Sequence, residues 1–415
     1  MRNTQSPKHA VCLLVVVLAA FMSTACGRAA SHPLVVLVSL DGWRWDYIDR
    51  ASAPNLRALA ARGVRASSLI PSFPPKTFPN HYTLVTGLYP EHHGIVANVM
   101  IEPGFPERFT MSAETAKDSR WWGGEPVWVT AIRQGQRSAS MFWPGSEALI
   151  GGVRPTYWRP FDDAVPNEDR VRQVIDWLAL PAHAQPSFVT VYFSEVDTAG
   201  HRSGPDSPQV MEAAAHLDQA LGDLIAGVGR LELLDRTTFV VVSDHGMSQL
   251  SDERRIFLDD YLDLSTVSIT EWSPNLGLTP RSRSVDDVYS ALKGKHPALD
   301  IYRKQETPSH LHYRDNPRIP PIVGLAHDGW TITSHARVEE DREKGRRNDL
   351  GAHGFDPTTQ PMHGVLVAAG PGLRHGVVVP SLENVHVYEF LCDLLGLKPA
   401  PNDGSRVATQ AFFQK

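Results

Sequence analysis

The chain is poor in cysteine: its 415 residues contain 3. Cys12 and Cys26 fall in the first 26 residues. Cys392 is then alone in the rest, and no internal disulfide can form there. It sits in an apolar helical pattern with Tyr388, Leu391 and Leu395 and reads as a small core residue. Basic charge is also short, with Lys+Arg 40 against Asp+Glu 46, a net −6. That excludes a general binder of nucleic-acid polymers or anionic membranes, which needs a basic surface. It does not exclude an anionic substrate held by metal ions in one site. Beyond residue 26 no apolar run is long enough to cross a bilayer. Internal repeats and low-complexity tracts are absent too, and the Gly 31 and Pro 32 follow no period.

What is present has globular composition, with 42% hydrophobic and 21% charged residues. Such a chain can bury a core, as two domains or as one α/β domain with an insertion. Arg2 and Lys8 make a positive start, followed by a mostly apolar stretch over 10–22 and small residues before Cys26. Residues 1–26 are therefore expected to be a signal peptide, and the protein to be exported to a periplasm. Ser23-Thr24-Ala25-Cys26 also resembles a lipobox, although Ser23 stands where leucine is usual. The mature form is then either soluble or anchored by lipid at Cys26.

Four apolar runs stand out: 34–40 (LVVLVSL), 188–193 (FVTVYF), 239–243 (FVVVS) and 365–369 (VLVAA). They are continuous rather than alternating, as parallel strands buried on both faces are. Between them lie helical patterns. One covers 54–62, with Pro54 at its first position and Gly63 as its stop. Another is capped by Ser207 ahead of Pro208, with Val210, Ala214, Leu217, Leu221, Leu224 and Val228 on one stripe. The expected fold class is α/β, a doubly wound, mostly parallel sheet flanked by helices. Residues 253–345 are richer in charge and turn signals and read as an inserted cap subdomain. The core would then be 33–252 and 346–396, with a tail over 397–415. The charge run 339–347 (EEDREKGRR) reads as a solvated face.

Sites in open parallel sheets form beyond the carboxyl ends of the strands. Asp41 follows the first run. Asp197 and His201 follow the second, and Asp244 and His245 the third. His353 lies shortly before the fourth. Six such groups at one edge repel and desolvate one another unless cations neutralise them. Imidazole nitrogen with carboxylate oxygen suits zinc, and three Asp with three His are about right for two ions. Residues 74–82 have turn chemistry leading into a helix, with Pro79 at or near its first position. A hydroxyl at Thr77 would sit at that helix N-terminus, where an anion is favoured. Thr77 reads either as a nucleophile or as a simple N-cap.

The stretch TFPNHYTLVTGLYPEHHGIVAN (77–98) is joined by LDG at 40–42, Asp197-x-x-x-His201, SDHGM at 243–247 and AHGFD at 352–356. This joint pattern closely resembles the nucleotide pyrophosphatase/phosphodiesterase family of the alkaline phosphatase superfamily, over nearly all of 34–396. The resemblance implies an alkaline-phosphatase-like fold and two Zn2+ ions. Asp197, His201 and His353 would hold one. Asp41, Asp244, His245 and the Thr77 oxygen would hold the other. Thr77 would be the nucleophile of a phospho-threonine intermediate. Asn98 would donate to a phosphate oxygen, with the Thr77 or Phe78 N–H beside it. Phe78 and Tyr192 match positions that form an aromatic slot around a nucleobase, though both also read as core aromatics. The ligand set is then full, so His92 and His93 read as structural.

The disulfides and extra domains of animal members are missing, so the chain looks like a compact bacterial member. At the position where sulfatase relatives carry C/S-x-P-x-R, Thr77 to His81 has no Arg. No cation is evident to hold a dianionic phosphate, which favours diesters. The expected activity is release of a nucleoside 5′-monophosphate from a small phosphodiester or pyrophosphate substrate. The alternatives are a phosphodiesterase for choline or lysophospholipid-type substrates, a phosphomonoesterase of the same superfamily, and a non-enzymatic metal-binding protein. The oligomeric state is left open.

Overall fold

In a computed structural model, Met1 and residues 33–111 and 114–414 are described. The expected signal peptide, its lipobox and Cys26 lie outside the described residues. The four apolar runs lie in the central part of an eight-stranded sheet. Its order is Val377–Val379, Val64–Ala66, Leu366–Ala369, Thr237–Val242, Leu34–Leu40, Phe188–Phe193, Ser138–Met141 and Tyr157–Trp158. The runs are continuous because both faces are covered. Val35 and Leu37 pack into one core cluster, and Leu34, Val36, Val38 and Leu40 into the other.

Every neighbouring pair is parallel except the two made by Leu366–Ala369. The expectation that the fourth run is parallel is thereby corrected. A continuous apolar run reports burial on two faces and not direction. The reversal has a use. The loop before this antiparallel strand opens at the same edge as the loops that follow the parallel strands, which is how His353 reaches that edge.

The helix Pro208–Arg230 is capped by the Ser207 hydroxyl, which accepts from the Val210 N–H at 3.3 Å. All six residues of its expected stripe are buried. The helix Pro54–Ala61 ends as expected before Gly63, for a different reason than a left-handed stop. A Cβ at Gly63 would lie 2.2 Å from the Ala368 carbonyl oxygen, so close strand approach demands glycine there. Cys392 is buried in the helix Val387–Leu395.

Residues 33–415 form one compact unit. Within it, the 253–345 segment has its own four-stranded antiparallel sheet, ordered Val267–Glu271, Asn275–Pro280, Ile322–Ala326 and Leu299–Arg303. A capping box of Ser284 and Asp287 starts its helix Val285–Leu292. Its apolar cluster of Leu276, Leu278, Val288 and Ile301 also takes in Phe355, two residues past His353. The helix His335–Glu343 buries no residue, and Arg342 and Lys344 pair with Glu339 and Glu340. Among the described residues, no helix is long and apolar enough to cross a membrane.

Candidate active site

The strands end in register, and this brings the acids together. The Asp41 N–H donates to the Phe193 carbonyl at 2.9 Å, and the Asp197 N–H donates to the Asp41 carbonyl at 3.1 Å. Between them Gly42 has φ +67, and a Cβ there would lie 2.8 Å from the Asp197 Cα. Only glycine meets both conditions. The Gly42 N–H also donates to Asp244 Oδ1 at 3.3 Å. Asp197 and His201 share one face of the helix Glu195–Ser203, one turn apart.

The free atoms of these groups point at one another. Asp197 Oδ1 lies 3.5 Å from His201 Nε2 and 3.6 Å from His353 Nε2. His245 Nε2 lies 3.0 Å from Asp244 Oδ2 and 3.5 Å from Asp41 Oδ1. Yet Asp41 Oδ1, Asp197 Oδ1, Asp244 Oδ2 and His245 Nε2 are buried without a hydrogen-bond partner among the described residues. Each expected histidine ligand turns its other nitrogen to a backbone carbonyl: His201 to Gly351 at 3.0 Å, His245 to Gly246 at 3.0 Å, His353 to Pro75 at 2.8 Å. A nitrogen facing a carbonyl must carry the proton, so in the neutral ring Nε2 keeps its lone pair for a metal. Ligands at about 2.0 Å from a tetrahedral zinc are themselves about 3.3 Å apart. The observed spacings and the orphaned lone pairs fit that requirement.

Charge says the same. Burial raises the Asp41 carboxyl well above its ordinary value, and Asp244 and Asp197 add to this. Burial raises Asp197 as well. For Asp244, burial pushes up, but His245 and His81 together hold it well below. Burial, then His245 and His201, push His353 well down. A cation among them would relieve the crowded carboxylates.

Thr77 is the first residue of the helix Thr77–Thr86, and Lys76 ahead of it makes no side-chain cap. The simple N-cap reading is therefore corrected, since the Thr77 hydroxyl caps nothing. The Phe78 N–H donates to Asn98 Oδ1 at 3.0 Å. That fixes the amide so that Asn98 Nδ2 is left to donate elsewhere. It also spends the Phe78 N–H, leaving Thr77 as the backbone donor beside it. Lys76 adds no net charge, because its Nζ is 2.5 Å from Glu271 Oε2.

Two residues here were not singled out from the sequence. Buried Asn80 donates to the Pro74 and Lys76 carbonyls at 2.8 and 3.0 Å and accepts from the Ser72 N–H, which clamps the turn ahead of Thr77. His81 groups with Asp41 and Asp244. Its Nδ1 is 2.8 Å from the Thr77 carbonyl and 3.4 Å from Asp244 Oδ2, and its Nε2 is 2.7 Å from Ser39 Oγ. With both nitrogens engaged it braces the site rather than ligating. Its one sequence signal is the four-residue helical step from Thr77. His92 and His93 stand apart from the cluster: His92 Nδ1 is 2.7 Å from Asp403, and buried His93 accepts from the Ile95 N–H.

Phe78 and Tyr192 line one cavity of about 590 Å3 with Phe142, Trp143 and Phe161. Both also pack. The Phe78 ring is 5.7 Å from Phe109, and Tyr192 is buried, donating its hydroxyl to Asp41 Oδ2 at 2.5 Å. Burial and Asp41 hold that phenol protonated.

A mostly parallel sheet with acids and imidazoles on its carboxyl edge is an α/β architecture that places polar ligand groups where such sheets form their sites. Residues 35–356 match the family described as type I phosphodiesterase / nucleotide pyrophosphatase. The chain belongs to this family, whose members are hydrolases of phosphoric diesters. It is similar to human ectonucleotide pyrophosphatase/phosphodiesterase family member 5, 35% identical over 92% of the chain and 79% of the relative. It is also similar to a venom phosphodiesterase of Crotalus durissus collilineatus, 36% identical over 92% of the chain, although it spans only 47% of that relative. Among solved structures, murine member 5 superposes with a TM-score of 0.87 at 36% identity, over 92% of the chain and 100% of its own. That structure is described as an inactive threonine-to-alanine variant in complex with AMP.

Proposed function

We propose that the chain is a two-zinc hydrolase that cleaves nucleotide phosphodiester and pyrophosphate bonds and releases a nucleoside 5′-monophosphate. The observation that carries this reading is the set of orphaned, buried lone pairs on Asp41, Asp197, Asp244 and His245 beside the uncapped Thr77 hydroxyl. Asp197, His201 and His353 would hold one ion; Asp41, Asp244, His245 and the Thr77 oxygen would hold the other. Bound zinc would neutralise these carboxylates, lower the pKa of an attached hydroxyl and offset charge on the phosphate.

Thr77 Oγ gives up its proton to solvent and attacks the phosphorus, and the bond to the leaving oxygen breaks with its electron pair. Asn98 Nδ2 and the Thr77 N–H donate to a non-bridging oxygen, which gains charge in the transition state. The helix N-terminus adds its dipole. Water then displaces Thr77 from the phosphothreonine; its oxygen joins phosphorus and Thr77 Oγ regains a proton. Phe78 and Tyr192 flank the base of the retained nucleotide in the cavity they line together, and the AMP complex of murine member 5 supports a nucleotide ligand. The leader-like first 26 residues support an exported protein, soluble in the periplasm or anchored at Cys26, and the scarcity of cysteine supports a compact bacterial member. The 253–345 segment is read as its inserted cap.

The test compares kcat/KM for a nucleotide p-nitrophenyl ester and for p-nitrophenyl phosphate, with the product identified by chromatography. A diester leaves one charge on the reacting group where a monoester carries two, and the basic residue next to Thr77, Lys76, is already paired with Glu271. Diester preference with a nucleoside 5′-monophosphate as product is expected. A monoester preference contradicts the reading.

A further inference from the structure

The cluster also borders a second cavity, of about 630 Å3, which shares no lining residue with the aromatic one. His201, His353, Lys76 and Asn98 line it from the cluster, and the rest comes from the neighbourhood of Glu271 and from residues 250–255 and 331–352. The two cavities differ in charge. Beyond the cluster, the aromatic cavity is rimmed by Glu147, Asp162 and Asp163, the last 3.6 Å from Arg170, against Lys117, which pairs with Glu114. The second is lined by Arg255, Arg337, Arg346 and Arg347. Its carboxylates are mostly taken. Asp252 pairs with Arg255, Asp341 with Arg346 and Glu271 with Lys76, while Asp349 lies 3.8 Å from His201. Arg337 and Arg347 face no carboxylate at ion-pair distance among the described residues, and Arg337 lies over the Trp272 ring at 5.0 Å.

We propose that this second cavity receives the leaving group, and that Arg337 and Arg347 select one that carries phosphate. The leaving group is the pyrophosphate of a nucleoside triphosphate or the nucleotide half of a dinucleoside polyphosphate. The inference rests on the function proposed above. In-line displacement puts nucleophile and leaving oxygen on opposite sides of phosphorus. Thr77 lines the aromatic cavity; His201 and His353 line the other. An uncharged, aromatic nucleoside suits the aromatic, acid-rimmed side, which repels a polyphosphate. The departing chain is polyanionic, and guanidinium forks match phosphate oxygens. Thr77 Oγ bonds to the α-phosphorus, and the electron pair of the broken bond leaves on the bridging oxygen of the phosphate chain.

The test is the double variant R337Q/R347Q, at two exposed positions. Three substrates are compared: ATP, diadenosine triphosphate and a nucleotide p-nitrophenyl ester, whose leaving group has no phosphate. The kcat/KM ratio of a phosphate-leaving substrate to the ester should fall roughly fivefold for two exposed charges. R337K/R347K should recover part of it. A fall for both ATP and diadenosine triphosphate supports recognition of the shared phosphate; a fall for one alone supports it and identifies the source. Binding gives a second readout. In a Thr77→Ala background the preference for ATP over AMP should shrink by a similar factor. Equal effects on all three substrates, or an unchanged ATP-to-AMP binding ratio, overturn the proposal. A wild type that hydrolyses none of the three overturns the underlying function instead, and the proposal with it.

Discussion

Among the described residues, two groups of aspartate and histidine meet the spacing an ion needs. One is the cluster at the sheet edge. The other is Asp259, Asp260 and His335 on the surface of the 253–345 segment. In the surface group three carboxylate oxygens and His335 Nε2 are already engaged. Both Asp259 oxygens accept the His335 N–H, at 2.9 and 3.1 Å, and His335 Nε2 is 3.0 Å from Asp260 Oδ1. All three residues are exposed, so water satisfies what remains. In the edge cluster the free atoms are buried and orphaned, while the second nitrogen of each expected histidine ligand is tied to a carbonyl. Spacing alone does not make a metal site. Burial without partners, with the ligand tautomer fixed from behind, is what favours one.

The largest test of this contrast is Thr77→Ala. The edge cluster would lose its nucleophile, and kcat should fall about a thousandfold or more. Because Thr77 caps nothing, stability should change by less than about 0.5 kcal/mol in thermal melts. A near-normal kcat in folded, metal-loaded protein would make Thr77 a bystander. Tyr192→Phe removes the hydroxyl that holds Asp41 and keeps the ring. Metal affinity and kcat should each drop about tenfold, as for other supporting residues around metals. An unchanged value for both would mean that Asp41 needs no such support. Asp260→Asn should do least. Zinc content and turnover should stay at wild-type levels and stability within about 0.5 kcal/mol. Loss of a zinc equivalent in that variant would erase the distinction between the two groups.

Much of the edge was legible in the sequence because its signals are local. Asp41, Asp197, Asp244 and their neighbouring histidines each sit within a few residues of a strand end. What was not legible depends on the third dimension. The direction of Leu366–Ala369 does not show in a run of apolar residues. Whether Thr77 caps its helix or begins it is a matter of backbone angles at Lys76. His81 is held through Ser39, distant in sequence, and Asn80 through groups of a turn that converge only once the loop has folded, so the motif that contains them hides their roles. The charge run at 339–347 is solvated over its helix, as read, but its last two arginines line a cavity beside the cluster.

The account stands most directly on the metal content of the edge cluster. Elemental analysis of protein purified without added metal, beside an Asp197→Asn variant, measures it. The account predicts about two zinc equivalents in the wild type, by the number of ligands present. Asp197→Asn should retain about one, and chelation should abolish turnover and lower the melting temperature. A wild type that is fully active with one equivalent or none, or unmoved by chelation, would contradict it.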